Sequence, residues 1–214
     1  MQPTVLGTYT PLVASTTYFA NDAWEGAGPF VPTTTTVSDG LAHQVTLTVA
    51  TSDYSAINFT LTGLDANGNA ITEVLAGPNN NTVTSVNYFS ALTQVTVSAP
   101  INDGEPVNKV SAGIASASFS PVVPLDARSV SAALIGVNIS GTINYTISET
   151  ADDVFVANPS TSCLWVPISA LASKTGDLLG SSSVGARGVQ LKVNSLTSTA
   201  TIKVSISQAS STLG

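Results

Sequence analysis

Residues 57–75 read INFTLTGLDANGNAITEVL, and this stretch decides the fold class. Ile57, Phe59 and Leu61 alternate with Asn58, Thr60 and Thr62, the period of two that turns one face of a strand into a core. Asp65-Ala66-Asn67-Gly68-Asn69 follows, and its Asn and Gly residues tolerate the left-handed backbone of a tight reversal. Residues 70–75 then run back, which predicts a hairpin. The same grammar continues to the C-terminus as short Thr/Val/Ile runs punctuated by Gly, Asn, Asp and Pro.

Working outward, 33–38, 44–50 and 57–62 read as strands, with Asp39-Gly40 and Thr51-Ser52-Asp53 as turns. Residues 70–75, 82–89, 93–98 and 109–119 add four more. Residues 77–81 and 100–104 are loops by their Gly, Pro, Asn and Asp content. Strands at this spacing with no helix between them pack antiparallel, because parallel pairing needs long crossovers. Ser120-Pro121-Val122-Val123-Pro124-Leu125 reads as a linker, since two prolines fix an extended chain and donate no ladder bonds. Beyond it, 130–140 and 142–148 flank Gly141 as an expected hairpin. Residues 163–166 suggest a strand, and 169–173 one helical turn capped by Ser169. Val189, Leu191 and Val193 are followed by Ile202, Val204 and Ile206, an expected strand pair joined at 195–199.

The expected fold class is therefore all-β: two antiparallel β-sandwich or barrel-like domains, 33–120 and 121–214, joined by that proline-containing linker. Residues 1–32 form an extended N-terminal arm. Pro3, Pro11, Pro29 and Pro32 interrupt any ladder there, while Tyr9, Tyr18, Phe19, Trp24 and Phe30 load it with aromatic surface. Those five are the candidate contacts to a partner or lattice. The arm either lies over its own domain's core or docks into a neighbouring subunit, and the sequence does not separate the two.

Composition narrows the function. The chain has 214 residues, enough to bury roughly 70% of its unfolded surface. Charged residues are 9%, against about 25% in ordinary domains. Thr, Ser and Asn replace them, which suits a surface covered by partners or by copies of itself. The formal charge is −7, and all of it precedes residue 121: eight acids accompany Lys109 there, while five acids and five bases follow. So acidic a protein cannot neutralise phosphates in number, so nucleic acid and anionic membrane are poor partners. No basic, apolar signal segment follows Met1, and no run approaches the roughly 20 apolar residues of a membrane span.

Candidate chemistry is sparse. Asp65-x-Asn67-x-Asn69 imitates the start of a calcium loop, but Ala70 stands where Gly is needed and Ala76 where a bidentate Glu is needed. It reads as a hairpin tip. Asp152-Asp153 reads as a solvated loop, because adjacent extended residues point to opposite faces. His43 is the one histidine and is expected at a strand edge, which leaves zinc sites and histidine-dependent triads without parts. Residues 180–185, GSSSVG, lack the lysine of a phosphate loop and read as a flexible loop. Cys163 cannot form an internal disulfide and is expected as a small buried hydrophobe beside Leu164 and Trp165. Sequons at Asn58, Asn80, Asn138 and Asn144 are what chance gives in a chain this rich in Asn, Ser and Thr. No enzyme, cofactor or metal is expected.

Resemblance supplies what chemistry does not. Asp39-Gly40 with Gln44-Val45-Thr46-Leu47-Thr48, and then FTLTGLDANGNAITEVLAGPN over 59–79, resemble Thr/Gly-rich β proteins among the virion components of tailed bacteriophages. The shared pattern is a Thr-Gly strand end, a D-x-x-G-N hairpin, I-T-E and a Gly-Pro loop, followed by an aromatic such as Phe89. Residues 140–147, Trp165, 189–194 and a last strand ending at Gln208 are similar to such proteins too, so the resemblance spans most of 39–208. It implies a non-enzymatic virion structural protein made in the host bacterial cytoplasm. Its expected role is a capsid decoration (cement) protein that binds the major capsid protein's lattice as a homo-oligomer, with a trimer the expected state. The alternatives are a neck, collar or tail accessory protein, or a virion-surface carbohydrate-binding module stacking sugars on Trp24, Trp165 and Tyr145.

Overall fold

The structure, a computed structural model, describes residues 4–20, 26–101, 109–126, 131–156 and 158–208. In chain order β1 (Thr4–Tyr9), β2 (Ser15–Ala20), β3 (Gly26–Phe30), β4 (Ala42–Thr48), β5 (Asn58–Leu64) and β6 (Ala70–Ala76) come first. Next are β7 (Thr82–Phe89), β8 (Ala91–Ile101), β9 (Ser111–Phe119), β10 (Val123–Pro124), β11 (Leu134–Ser140) and β12 (Ile143–Thr150). A four-residue helix α1 (Pro159–Ser162), β13 (Val166–Pro167), a 3-10 turn (Ser169–Leu171), β14 (Leu178–Ser181), β15 (Gly188–Leu196) and β16 (Thr201–Ser207) complete the chain. The fold is all-β, in antiparallel sheets. Among the described residues no helix is long and apolar enough to cross a membrane.

The chain divides into a central unit, Ala14–Ser116, and a terminal unit made of Met1–Val13 with Ala117–Gly214. In the central unit one sheet runs β3-β8-β5-β6, and β4 lies between β7 and β9. The expected hairpin is there: β5 pairs β6 from Leu64↔Ala70 beside the turn to Asn58↔Ala76 at the open end. Gly68 at its tip has φ +82°, a conformation that a side chain disfavours. Phe59 and Leu61 lie opposite Val97 and Val95 of β8, and all four are buried. Each side chain so buried stabilises by about 1.5–3 kcal/mol.

The expected strand over 33–38 is replaced by an irregular crossing with a single bridge, Thr36↔Ala91. Its amides serve several elements instead: Thr33 donates to Phe19, and Val37 to Ser90. Val37 is its one apolar residue and it alone reaches the core, so no alternating apolar face holds the segment in a ladder. Residues 4–30 supply three paired strands, β1 in the terminal unit and β2 and β3 in the central one. Pro29 fits because β3 is an edge strand paired only with β8.

The terminal unit has one sheet of order β1-β16-β11-β14, and β13-β12-β15 forms another, with β10 and the end of β9 beside β15. Both hairpins expected in this region are absent. β11 pairs β16 and β12 pairs β15, so each sequence-adjacent couple is an arch from one sheet to the other. Alternation allows either outcome. In an arch the second strand turns its apolar residues back toward the first across the core, placing Ile135 and Val137 on one sheet and Ile143, Tyr145 and Ile147 on the other, all buried. Gly141, at φ +90°, makes the first arch, and a Cβ there would sit 3.0 Å from Ala200 of the second.

Three further expectations are corrected. Residues 180 and 181 of the supposed flexible loop belong to β14, paired from Leu134↔Ser181 to Val137↔Leu178, and the buried Ser182 hydroxyl accepts from Ala133 N at 2.9 Å. The Leu178-Leu179 run ahead of the serines supplies the strand. The expected strand at 163–166 shrinks to β13, because α1 and the Leu164 amide bond to Asp152 hold the chain before it. At 169–173 the helical turn is a short 3-10 turn with Ile168 at its N-cap and no side-chain cap, so Ser169 lies inside it.

Candidate functional site

Charge separates the two units. Eight acids and Lys109 give the central unit a formal −7, while the terminal unit has five acids and five bases. With so few cations, the carboxylates turn to backbone amides. Asp65 Oδ1 accepts from Asn67 N and Asn69 N, each at 2.8 Å, and its Oδ2 accepts from Asn69 Nδ2 at 3.1 Å. Glu73 spans two successive amides of β7, Val86 at 2.7 Å and Asn87 at 2.8 Å. Asp53 takes the Ser55 hydroxyl and amide, and those bonds, the hydroxyl's first, hold its carboxyl below the usual range. In the terminal unit Glu149 takes Ser183 N and Oγ, and Asp177 takes Ile139 N at 2.7 Å. Charge-assisted bonds of this kind stabilise an anion without a base. Asp65 is thus a turn clamp with both oxygens committed to its own loop.

Asp152 and Asp153 are exposed, as expected; Asp152 accepts from Leu164 N and Asp153 from Phe155 N. Arg187 reaches Asp153 at 3.8 Å with both side chains about half exposed, a pair worth little. Cys163 is half-buried rather than buried, and Leu164 beside it is 75% exposed. Burial first, then Asp152 and Asp153, pushes its thiol up, away from the reactive thiolate.

His43 departs from expectation. It lies within β4, fully buried, between β7 and β9 rather than at an edge. Its Nδ1 is 2.7 Å from the Ala115 carbonyl and its Nε2 is 2.8 Å from Asp39 Oδ2. A carbonyl only accepts, so Nδ1 carries hydrogen; the Nε2–Oδ2 contact then needs a second proton between the two. The pair is therefore neutral as a whole, which is what allows it to be sealed in the core. Both ring nitrogens are committed, leaving none for a metal or a substrate.

The five aromatic contact candidates are distributed between the units. Tyr9 is buried in β1, its hydroxyl donating to Leu6 O at 3.2 Å, and burial pushes its phenol up. Phe19 of β2 is fully buried and meets Tyr18 edge-on at 5.3 Å. The half-buried Tyr18 hydroxyl accepts from Ser38 N at 3.0 Å. Phe30 is half-buried in β3 opposite Val95. Trp24 lies outside the described residues. Of the sugar-stacking candidates, Tyr145 is fully buried and has no free ring face, while Trp165 is half-buried with its indole N–H on Pro159 O at 2.9 Å.

What sequence reasoning missed is apolar surface. Nine of the twelve exposed large apolar side chains among the described residues belong to the terminal unit, including Phe155, Leu164, Leu179 and Val184. The signal was Leu178-Leu179, adjacent residues that cannot both face one core from a strand. A shallow groove lined by Thr150, Val166, Val184 and Gly185 lies over the Glu149–Ser183 clamp. No family model, curated protein or solved structure matches this chain.

Proposed function

We propose that this chain is a non-enzymatic structural protein of a tailed-bacteriophage virion, a decoration protein that binds the capsid lattice and associates with copies of itself. One observation carries the reading: net charge is confined to one unit and exposed apolar surface is concentrated on the other. A shell-binding protein present in many copies needs a face that associates without repulsion. It also needs a second that stays in water or meets a basic surface. The resemblance over 39–208 points to the same class of protein. The non-catalytic part is supported by the state of the reactive groups, since His43 is sealed, the carboxylates hold amides, and the Cys163 thiol is pushed up.

The test is co-sedimentation of the purified chain with phage heads assembled without it, at low and at high salt, with density maps of intact particles giving its position. Stoichiometric binding to heads is expected, weakening with salt if the acidic unit meets a basic shell surface. Failure to bind at any salt, or density confined to the neck or tail, would remove the decoration reading.

A further inference from the structure

The terminal unit's sheet β1-β16-β11-β14 has a buried face and an open one. Ile135, Val137, Val204 and Ile206 point inward. By alternation Leu134, Gly136 and Asn138 of β11, Leu179 of β14, and Lys203 and Ser205 of β16 share the opposite face. Its floor is low, because Gly136 pairs with Ser205 on one side and Leu179 on the other. Leu179 stands up from that floor, 65% exposed, and Leu134 is 48% exposed. One shallow depression is lined by Gly136, Asn138, Leu178, Lys203 and Ser205, and another by Leu179 with Leu134, Ile168, Ala170 and Gly180. A Cβ built on Gly136 would meet only Leu179 Cδ1, at 3.8 Å, so the hollow over Gly136 is bounded on one side by the same copy's Leu179 and has no other heavy atom within 4 Å.

We propose that this face is a two-fold interface between two copies of the chain, with Leu179 of each copy seated in the hollow over Gly136 of the other. The face selects a copy of itself because it carries a projection and a matching hollow side by side, which is what an isologous contact requires. Its charges are self-complementary as well. Lys203 pairs in register with Asn138, and Asn138 Nδ2 donates to Asp177 at 2.7 Å, so one base and one acid flank the same residue. Lys203 has no ion pair among the described residues. A two-fold brings each lysine toward the other copy's acid. The unit's net charge is zero, so close approach meets no long-range repulsion. A three-fold ring would require two different patches, whereas this face closes in pairs.

This inference deepens the self-association part of the proposed function, and the two can fail separately. Sedimentation equilibrium of the full chain across micromolar concentrations should show a reversible dimer. Leu179→Glu places a charge at the centre, and Gly136→Ala puts into the hollow a Cβ that meets only Leu179 Cδ1, at 3.8 Å, in the monomer. Each should weaken the dimer by roughly tenfold or more while leaving the melting temperature measured at dilution unchanged. Lys203→Gln should weaken it less and remove its salt dependence. A wild-type chain that stays monomeric, or an oligomer indifferent to both Leu179→Glu and Gly136→Ala, overturns the proposal. Binding to heads reads the other claim: a wild-type dimer that ignores heads removes the decoration reading and leaves this interface standing.

Discussion

The central and terminal units are built from the same Thr-rich antiparallel strands and treat water in opposite ways. The central unit holds the whole formal charge of −7, yet the described acids there are bonded to amides, hydroxyls or His43 rather than to lysine or arginine. The terminal unit is neutral and leaves Phe155, Leu164 and Leu179 in solvent. A low-charge sequence therefore does not mean a uniformly bland surface. The few carboxylates of the central unit work as turn and bulge clamps, and the terminal unit, freed of net charge, can present apolar residues to a partner. Crowded copies of the acidic unit would repel over a Debye length of about 8 Å at physiological salt, while the neutral one would not.

The largest expected effect breaks the comparison at its most buried point. His43→Phe keeps ring volume and takes the ring partner from Oδ2 of the Asp39 side chain, itself 1% exposed, while Oδ1 keeps the Leu41 amide at 3.0 Å. Removing one member of a buried pair costs about 3–5 kcal/mol. Amide exchange should show that loss in residues 14–116 and leave the terminal unit's protection intact. Asp39→Asn should cost distinctly less, since its amide can donate to Nε2. Equal loss of protection in both units would show that they do not unfold separately, and no loss would show that the pair is not holding β4 in place.

The His43 pair also marks where sequence reading stopped. The hairpin at 57–75 was legible because alternation and turn chemistry are local, and Asp65 holds it with bonds to residues two and four positions on. The arches at Gly141 and 195–199 were not, because a glycine between two alternating strands looks the same whether the second strand pairs with the first or crosses to another sheet. That choice depends on β16 returning to β11, more than sixty residues away. The burial of His43 depended on the Ala115 carbonyl, 72 residues distant, although Asp39 four residues before it was a visible cue. The exposed leucines of β14 stand directly before residues 180–185, which read as loop, so no strand was expected there.

A smaller effect separates the units by alkali. Burial raises the phenols of Tyr9 and Tyr145 in the terminal unit, with Asp177 adding to Tyr145, and of Tyr88 in the central unit. A raised folded value means the unfolded phenol ionises first, near the ordinary 10.0. The stability these residues contribute is complete below that pH and is lost as pH rises through the folded values. Thermal melts between about pH 9 and 11 should therefore show the terminal unit weakening more than the central one. Tyr145→Phe should flatten that decline, at the cost of about 1 kcal/mol at neutral pH for the bond its hydroxyl gives Gly176 O at 2.9 Å. A decline of the same slope in Tyr145→Phe would assign the alkaline limb to other groups.

The smallest effect tests whether a clamp matters for its charge. Asp53 lies in an exposed turn, its Oδ1 accepting Ser55 Oγ at 2.6 Å and Ser55 N at 2.9 Å, and the same turn bridges to Asn79. Its folded carboxyl sits below the usual value, so its contribution is present above the unfolded value of 3.8 and disappears as pH falls through the folded one. Asp53→Asn keeps an oxygen for the Ser55 amide and gives up the charge. At neutral pH the variant should melt slightly lower, with the change confined to the central unit. In acid the wild-type carboxyl is neutralised as well, so the two melting curves should converge. An offset that persists into acid would mean that Asp53 acts through shape alone. The central unit's acids would then be ordinary turn formers, and its charge would be free to serve the outer surface only.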